Sequence, residues 1–325
     1  MATYKRQRYL FMTTDPVHIG TGGYRLGRVD NSIVREPGTR VPKIPGTSLH
    51  GAARSYAAQI YETPEAAGQS QDKVERPGEN PVCYTFGYLK KEREQQDKTV
   101  AFSGVVNVFD AHVLLFPVHS MAGSVWVSTV GRLEDADFTV EDVPEQWDAG
   151  AALLTSPRTD ALNLGWLMVS VAGQVKVTAP AKWGGEPRWQ AVQSSVVLVH
   201  ESLFSQVVNS NLEVRTSVAI DPERGAAEDK ALFTYEALPR ATFLTAEVVL
   251  DDYRDGANGR PFPKGRTAKD NPLPGSEWEG PLDVVAAGLR MIKWLGVGGM
   301  GTRGFGRVAV VGKPLEQAYG EEVWQ

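Results

Sequence analysis

Apolar residues recur with the spacing of an α-helix in two segments, residues 48–62 and 281–295. In each segment they fall three or four positions apart, which places them on one face of a helix. Thr47 or Ser48 is positioned to cap the first helix, and Gly296 is positioned to end the second. The inward faces that these patterns predict are Leu49, Ala52, Ala53, Tyr56, Ala57 and Ile60 in the first helix and Leu282, Val285, Leu289 and Ile292 in the second.

Strand patterns occupy much of the chain between and beyond these helices. Residues 7–14 and 242–250 are rich in β-branched and aromatic residues, and each segment predicts one strand. Residues 100–130 predict several strands separated by turns. Further strands are expected over 164–177, over 194–200 and in the last apolar run, "GRVAVVGK".

Polar, turn-rich segments separate these elements. Residues 211–235 centre on the turn "DPERG", which indicates a projecting hairpin. Residues 63–82, 90–98 and 251–280 are expected to be exposed loops. Mixed strands and helices with long insertions favour an α+β fold.

The composition is that of a water-soluble globular protein, with 42% hydrophobic and 22% charged residues. A length of 325 residues allows one large domain or two of ordinary size, with a full core in either case. Cys83 is the one cysteine, so an intrachain disulfide is excluded and a cysteine-rich zinc site is disfavoured. No apolar run reaches membrane-spanning length and no signal-peptide core is present, so we expect a cytoplasmic protein with no membrane partner.

Charge is unevenly distributed along the chain. The net charge of −5 alone argues against a nucleic-acid partner. Residues 24–54, however, hold six basic and two acidic residues, whereas residues 133–148 hold seven acidic residues and no basic one. A basic N-terminal surface could therefore bind nucleic acid although the whole chain is acidic. The alternative is that both charge runs are simply solvated.

The glycine-rich segment "GVGGMGTRGFGRV", residues 296–308, does not fit a nucleotide-binding loop. A dinucleotide fingerprint follows a strand and opens a helix, whereas this segment follows a predicted helix and opens a predicted strand. It also lacks the Gly-Lys-Ser/Thr ending of a P-loop. The backbone here must pass close either to another part of the fold or to a phosphate backbone, with Arg303 and Arg307 beside it.

The start of the first predicted helix is a candidate phosphate site. A helix N-terminus presents unpaired N–H groups and a partial positive charge. Thr47, Ser48, His50 and Arg54 add donors there, although capping alone also explains the first two. The histidines lack the spacing of a zinc-protease site, and "DAH" at 110–112 is too short a signal for a metal site.

Four segments together resemble the RAMP superfamily of CRISPR proteins. Residues 15–54, "DPVHIGTGGYRLGRVDNSIVREPGTRVPKIPGTSLHGAAR", resemble its N-terminal signature, and residues 296–308 resemble its C-terminal glycine-rich loop. Residues 109–120, "FDAHVLLFPVHS", and residues 215–243 resemble one branch, the repeated backbone subunit of the type III-B (Cmr) effector. The resemblance spans almost the whole chain.

This resemblance implies a modified RRM-like (ferredoxin-like) core with insertions, in a single domain over residues 1–325. The hairpin, at about 205–240, would be an inserted thumb. The core would comprise about 1–62, 100–200 and 242–325, with variable loops at about 63–98 and 251–280.

The resemblance also implies RNA-guided cleavage of RNA. Copies of the chain would stack along a guide CRISPR RNA (crRNA) in a helical filament, together with other type III-B subunits that include the large polymerase-like subunit. Complementary target RNA would pair with the guide and be cut once per subunit, where the thumb flips nucleotides out of the duplex. The target's 2′-hydroxyl would attack the adjacent phosphate and leave 2′,3′-cyclic phosphate and 5′-hydroxyl ends.

Asp30 is the candidate catalytic residue that the resemblance implies. The family's cutting aspartate stands in a Val-Asp or Ile-Asp step shortly before Ile/Val-Arg-Asp/Glu, which here matches Val29-Asp30 followed by residues 33–36. Its carboxylate would accept the 2′-hydroxyl proton or hold a weakly bound Mg²⁺ or Mn²⁺. The RNA-binding residues expected alongside it are Arg25, Arg28, Arg35, Lys43, Thr47, Ser48, His50, Arg54 and Arg303.

His50 departs from the family pattern, since it stands where a lysine is usual. An imidazole is mostly neutral at pH 7 and would offer the guide a hydrogen bond instead of a charge. Two alternatives keep the same fold: a structural guide-binding subunit without cleavage, and the equivalent type III-A backbone subunit. A guide-maturation nuclease of the superfamily fits less well because it lacks the "PGTSLHG" element.

Overall fold

The computed structural model describes residues 3–22, 29–68, 71–91, 99–253, 261–264, 278–321 and 324. The helices in this part of the chain are α1 (Gly46–Ile60), α2 (Pro81–Phe86), α3 (Val130–Asp135), α4 (Ala181–Gly184), α5 (Pro187–Gln190), α6 (Glu201–Ser210) and α7 (Pro281–Leu295). Short 3₁₀ turns lie at Pro64–Ala66, Gln71–Lys73, Pro77–Glu79, Gln193–Ser195 and Gly301–Arg303.

The strands of the described residues are β1 (Thr3–Thr13), β2 (Lys43–Ile44), β3 (Gly87–Lys91), β4 (Thr99–Ser103), β5 (Val106–Val108), β6 (Ala111–Ser120), β7 (Gly123–Ser128), β8 (Thr139–Glu141), β9 (Ala151–Leu154), β10 (Leu162–Leu164), β11 (Leu167–Gln174), β12 (Lys176–Thr178), β13 (Val196–Val199), β14 (Glu213–Asp221), β15 (Ala226–Ala237), β16 (Phe243–Asp252) and β17 (Val308–Ala318).

The core sheet has the connectivity of a ferredoxin-like motif. Four of its strands lie in the order β17-β1-β16-β6, and each is antiparallel to its neighbour. In chain order, these strands and the two long helices run β1, α1, β6, β16, α7, β17. This is the β-α-β-β-α-β arrangement of ferredoxin-like folds, and it agrees with the predicted α+β class. Beyond β6 the sheet continues through β7, β13, β9, β11 and β10.

Both faces of the sheet are covered. Because side chains alternate across a strand, Tyr9 and Phe11 of β1 enter one hydrophobic cluster, which also contains the buried residues of α1 and α7. Leu10 enters a second cluster, in which Trp183 of α4 and Trp189 of α5 are fully buried.

Helices α1 and α7 pack against each other at short range. A Cβ atom added to Gly288 of α7 would lie 2.1 Å from the carbonyl oxygen of Ala53 in α1. The predicted inward positions of both helices are buried, except Ala52, Tyr56 and Leu282, which are partly buried. Gly296, with φ of 81°, ends α7 as expected.

Two local predictions were wrong. The expectation of exposed loop over residues 63–82 fails at the end of that range: short 3₁₀ turns with many exposed residues come first, but Pro81 and Val82 begin α2, every residue of which is buried. Asn80 caps this helix by accepting hydrogen bonds from Val82 and Cys83. The cap of α1 is Pro45 rather than Thr47 or Ser48, and neither hydroxyl makes a capping bond.

The other expected strands are present, since residues 100–130 form β4 to β7 and the final apolar run lies in β17. Helix α6 was not predicted. Residues 254–260, 265–277 and 92–98 lie outside the described residues, so the loops expected there stay predictions. The described chain contains no helix long and apolar enough to span a membrane.

Candidate functional site

A two-stranded hairpin, formed by β14 and β15, makes a sheet of its own apart from the core. Its tip is the predicted turn, in which Gly225 donates a hydrogen bond to the carbonyl of Asp221 at 2.8 Å and has φ of 62°. The strands carry exposed apolar side chains, among them Val218, Ile220 and Leu232. We call the C-terminal end of β15, from Thr234 onward, the root of the hairpin. There the side chains become buried, from Tyr235 to Leu238.

Asp30 is held by the root of this hairpin. Its Oδ2 accepts hydrogen bonds from the backbone N–H of Thr234 at 2.8 Å and from the Thr234 hydroxyl at 2.9 Å. The Asp30 N–H in turn donates to the Thr234 hydroxyl oxygen at 3.0 Å. Asp30 is nevertheless exposed to solvent. The site's candidate carboxylate is therefore both fixed and accessible.

These hydrogen bonds favour the ionised form of Asp30. The backbone bond from Thr234, followed by the bond from its hydroxyl, lowers the pKa of the Asp30 carboxyl below its ordinary value. Hydrogen bonds to the charged form favour ionisation. Asp30 is therefore a carboxylate at neutral pH.

Glu236, two positions along the same strand, contacts two further residues of the segment between β1 and β2, hereafter the opening loop. Its carboxylate forms an ion pair with Arg35 at 2.7 Å, with side chains only 10% and 12% exposed. Its backbone carbonyl contacts His18 Nδ1 at 2.6 Å. Because a carbonyl can only accept, Nδ1 of His18 carries the proton in this contact. Arg35 is further occupied by Asn209 Oδ1 at 2.9 Å.

Tyr235, between these two, connects the hairpin to the glycine-rich loop. Its hydroxyl accepts a hydrogen bond from Arg303 at 2.8 Å, and its ring meets the His18 ring edge to face at 5.9 Å. Three consecutive residues, Thr234, Tyr235 and Glu236, thus contact Asp30, Arg303 and Arg35 respectively.

The glycine-rich loop packs on the opening segment of the chain. Gly299 N–H donates to the carbonyl of His18 at 2.9 Å, and Gly306 N–H donates to that of Pro16 at 2.8 Å. A Cβ on Gly298, which has φ of 87°, would lie 2.5 Å from the His18 carbonyl oxygen. Of the two explanations given for these glycines, close approach to another part of the fold accounts for Gly298.

A groove of about 390 Å³ runs between this loop and the exposed face of α1. Its walls carry hydroxyl groups and small residues, including Thr47, Ser48 and Ser55, and none of the described residues that line it is charged. Tyr56 closes one side by donating a hydrogen bond to the Gly296 carbonyl at 2.6 Å. The groove therefore offers hydrogen bonds rather than charge.

The N-terminus of α1 already has a carboxylate partner. Asp110 Oδ1 accepts a hydrogen bond from Gly46 N–H at 2.7 Å, and Asp110 Oδ2 pairs with Lys43 at 2.5 Å. Lys43 also contacts Glu36 at 3.0 Å. Burial raises the pKa of Asp110, but the hydrogen bonds from Gly46 and Lys43 outweigh burial and lower it overall. The bonds to Asp110 and Glu36 raise the pKa of Lys43.

His50 and Arg54 lie side by side on α1 and are partly buried. The His50 ring meets Phe86 edge to face at 5.0 Å. Burial, and then the charge of Arg54, lower the pKa of His50, so its imidazole is neutral at pH 7. The Arg54 guanidinium donates to the carbonyls of Ala66 at 2.9 Å and Gly87 at 2.7 Å. It thereby holds the segment that follows α1.

The predicted residues thus fall into groups. Asp30, Arg35 and Arg303 meet at the hairpin root, Thr47 and Ser48 line the groove, and Lys43, His50 and Arg54 make internal contacts. Arg25 and Arg28 lie outside the described residues. The sequence reasoning missed Thr234, Tyr235 and Glu236. Their signals were the alternation of polar and aromatic residues on a strand of the predicted hairpin and their place in residues 215–243, one of the segments that resemble the family.

A divalent ion would find few protein ligands here. The described residues contain no group of three or more His, Cys, Asp or Glu side chains placed to hold a metal. Asp30 Oδ2 is occupied by Thr234. Mg²⁺ commonly binds through one or two carboxylates and keeps several waters, so this donor set fits a weakly held ion only.

Comparison with known proteins agrees with this architecture. The chain is 25% identical over 254 residues to the CRISPR system Cmr endoribonuclease Cmr4 of Pyrococcus furiosus. This alignment covers 73% of this chain and 79% of that protein. The fold of the present chain is similar to that of a chain of the type III-B Cmr-beta complex bound to cognate target RNA. The TM-score is 0.59 and the identity is 14%, with coverage of 95% of this chain and 96% of that one.

Oligomeric Cmr4 from Pyrococcus furiosus has a similar fold, with a TM-score of 0.55, 18% identity, and coverage of 96% of this chain and 100% of that one. The RAMP superfamily pattern matches residues 10–309, from β1 to the start of β17. On this match, the chain belongs to the RAMP superfamily.

Proposed function

We propose that this chain is the repeated backbone subunit of a type III-B CRISPR effector, in which it binds guide RNA and cleaves the paired target RNA. The observation that carries the proposal is the exposed Asp30 carboxylate, fixed at the point where the hairpin leaves the body of the protein. The similarity to the Cmr4 endoribonuclease supports it. In this role the chain would assemble with other copies of itself and with the other effector subunits.

The proposed chemistry is transesterification within the target strand. The 2′-oxygen attacks the neighbouring phosphorus, the bond from phosphorus to the 5′-oxygen breaks, and a 2′,3′-cyclic phosphate and a 5′-hydroxyl remain. Asp30 would accept the 2′-hydroxyl proton, and the leaving 5′-oxygen would take a proton from solvent. A carboxylate whose pKa is lowered is a weak base, so we expect slow turnover.

A weakly bound Mg²⁺ or Mn²⁺ fits this proposal as a further component. Asp30 Oδ1 is the protein oxygen that would contact it, and the RNA phosphates would supply other ligands. Such an ion would offset the negative charge that develops on the phosphate.

The guide strand would lie in the groove between α1 and the glycine-rich loop. Thr47 and Ser48 would donate hydrogen bonds to it, and Arg303, exposed beside the groove, would neutralise a phosphate. Arg35, Lys43 and Arg54 would act differently, because their internal bonds make them supports of the RNA-binding surface.

The test is cleavage of an end-labelled target RNA by the reconstituted effector complex with Mg²⁺ or Mn²⁺. A regular ladder of products is expected. A matched target with 2′-deoxyribose at one cleaved position should lose that band alone, because the attacking hydroxyl is missing. Tight binding of target that stays whole would assign the chain a structural guide-binding role instead.

A further inference from the structure

We infer that Thr234 is the positioning residue of Asp30, so that the hairpin, and not the loop that carries Asp30, sets where the carboxylate stands. This inference rests on the proposed function, because it concerns the cleavage step. It assigns the root of the hairpin a role in cleavage beyond separating bases.

Three hydrogen bonds join Thr234 and Asp30. Thr234 donates twice to one oxygen of Asp30, through its N–H at 2.8 Å and its hydroxyl at 2.9 Å. The same hydroxyl accepts the Asp30 N–H at 3.0 Å. A hydroxyl that donates and accepts at once has one orientation, and it fixes both the backbone and the side chain of Asp30.

The backbone next to Asp30 is also hydrogen-bonded to the hairpin. Asn31 N–H donates to the Thr234 carbonyl at 3.0 Å, and the Asn31 carbonyl accepts from Glu236 N–H at 3.0 Å. Asn31 thereby pairs in parallel with Tyr235 on the free edge of β15. The chain on the C-terminal side of Asp30 is therefore docked on the hairpin strand, and a shift of that strand moves Asp30 with it.

The contacts with Thr234 leave one oxygen of the Asp30 carboxylate for RNA. Oδ2 of Asp30 is saturated by Thr234, whereas Oδ1 accepts no hydrogen bond from another residue in the described chain. Oδ1 is therefore the oxygen that faces substrate. Threonine suits this task because its β-branched side chain has a stiff χ1 angle, so the hydroxyl direction is set by the strand itself.

The test compares three variants in the reconstituted complex under single-turnover conditions with saturating target. Thr234→Val keeps the shape and removes the hydroxyl, and Thr234→Ser keeps the hydroxyl. Thr216→Val is the matched control, because Thr216 is the cross-strand partner of Thr234 in the hairpin. We expect Thr234→Val to reduce the cleavage rate constant by about 10- to 100-fold with unchanged target affinity, since small displacements of reacting groups have effects of this size.

Thr234→Ser should restore most of the rate, and Thr216→Val should cleave like wild type. A merely structural role would not distinguish serine from valine in this way. If Thr234→Val cleaves at the wild-type rate while Asp30→Asn does not cleave, the inference is wrong and the proposed function stands. If Asp30→Asn itself cleaves like wild type, the proposed site fails and the inference falls with it.

Discussion

Asp30 and Thr234 lie 204 positions apart in the chain, yet three hydrogen bonds of 2.8 to 3.0 Å join them. One residue stands in the opening loop and the other at the root of the hairpin. Their contact forms only when β15 returns to the body of the protein. The candidate catalytic group is thus assembled by the whole fold.

The ion pair of Arg35 and Glu236 is predicted to support the fold rather than to bind RNA. Both side chains are nearly buried, so Arg35→Met leaves a buried carboxylate without its partner. We expect the free energy of unfolding, measured by urea titration, to fall by about 3 kcal/mol.

The control for this prediction is Arg76→Met, which removes an ion pair whose side chains are 76% and 70% exposed. An exposed pair contributes less than about 1 kcal/mol. Equal stability of the two variants would contradict the structural role of Arg35.

Alanine substitutions at the neighbouring residues Gly298 and Gly299 are expected to differ in their effect on stability. Alanine at Gly298 would take a positive φ and press on Ile19 and the His18 carbonyl, whereas alanine at Gly299 would meet its nearest atom at 3.5 Å. We expect Gly298→Ala to lower the unfolding free energy by about 2 kcal/mol. Gly299→Ala should stay within about 0.5 kcal/mol of wild type, and a reversed order in thermal or urea unfolding would refute this account of the loop.

His50 should make stability depend on pH. Burial, followed by the Arg54 charge, lowers its pKa in the folded protein below the ordinary 6.5. Between the two pKa values the unfolded chain binds a proton that the folded chain does not, so stability falls as pH drops below about 6.5. His50→Gln should have a shallower loss of unfolding free energy over the same pH interval, and an unchanged slope would show that His50 does not contribute.

Arg303 of the glycine-rich loop is exposed and donates a hydrogen bond to Tyr235 at the hairpin root. If it neutralises a guide phosphate, Arg303→Gln should weaken guide binding and reduce the slope of log affinity against log salt by about 1. Arg76→Gln, on another exposed arginine, should leave the slope unchanged. Equal slopes for both variants would argue against the proposed path of the guide.

Local patterns predicted the elements whose boundaries are set locally. Helix α7 begins at Pro281 and ends before Gly296, and both signals lie in its own sequence. The start of α1 was misassigned because its first N–H is bound by Asp110, 64 positions away. Burial of α2 was missed because the loop was predicted from the polar residues that dominate 63–82, and only Pro81 and Val82 of this largely apolar helix lie in that range.

The site was also predictable only in part, because its contacts join residues that are far apart in the chain. Asp30 and Arg303 were identified through family resemblance. The residues that hold them, Thr234 and Tyr235, carry no local mark of that role. Their function depends on the register of β15 against the opening loop, which a single sequence does not encode in any short segment.

The claim that the Asp30 carboxylate is required for cleavage of target RNA is tested most directly by Asp30→Asn, which keeps the shape of the side chain and removes its charge. Asp15→Asn is the matched control, because Asp15 lies in the same loop and pairs with Arg307 instead. With target binding confirmed for both, the account predicts that Asp30→Asn lowers the single-turnover cleavage rate by at least about 100-fold, while Asp15→Asn still produces the ladder. Cleavage by Asp30→Asn at the wild-type rate would contradict it.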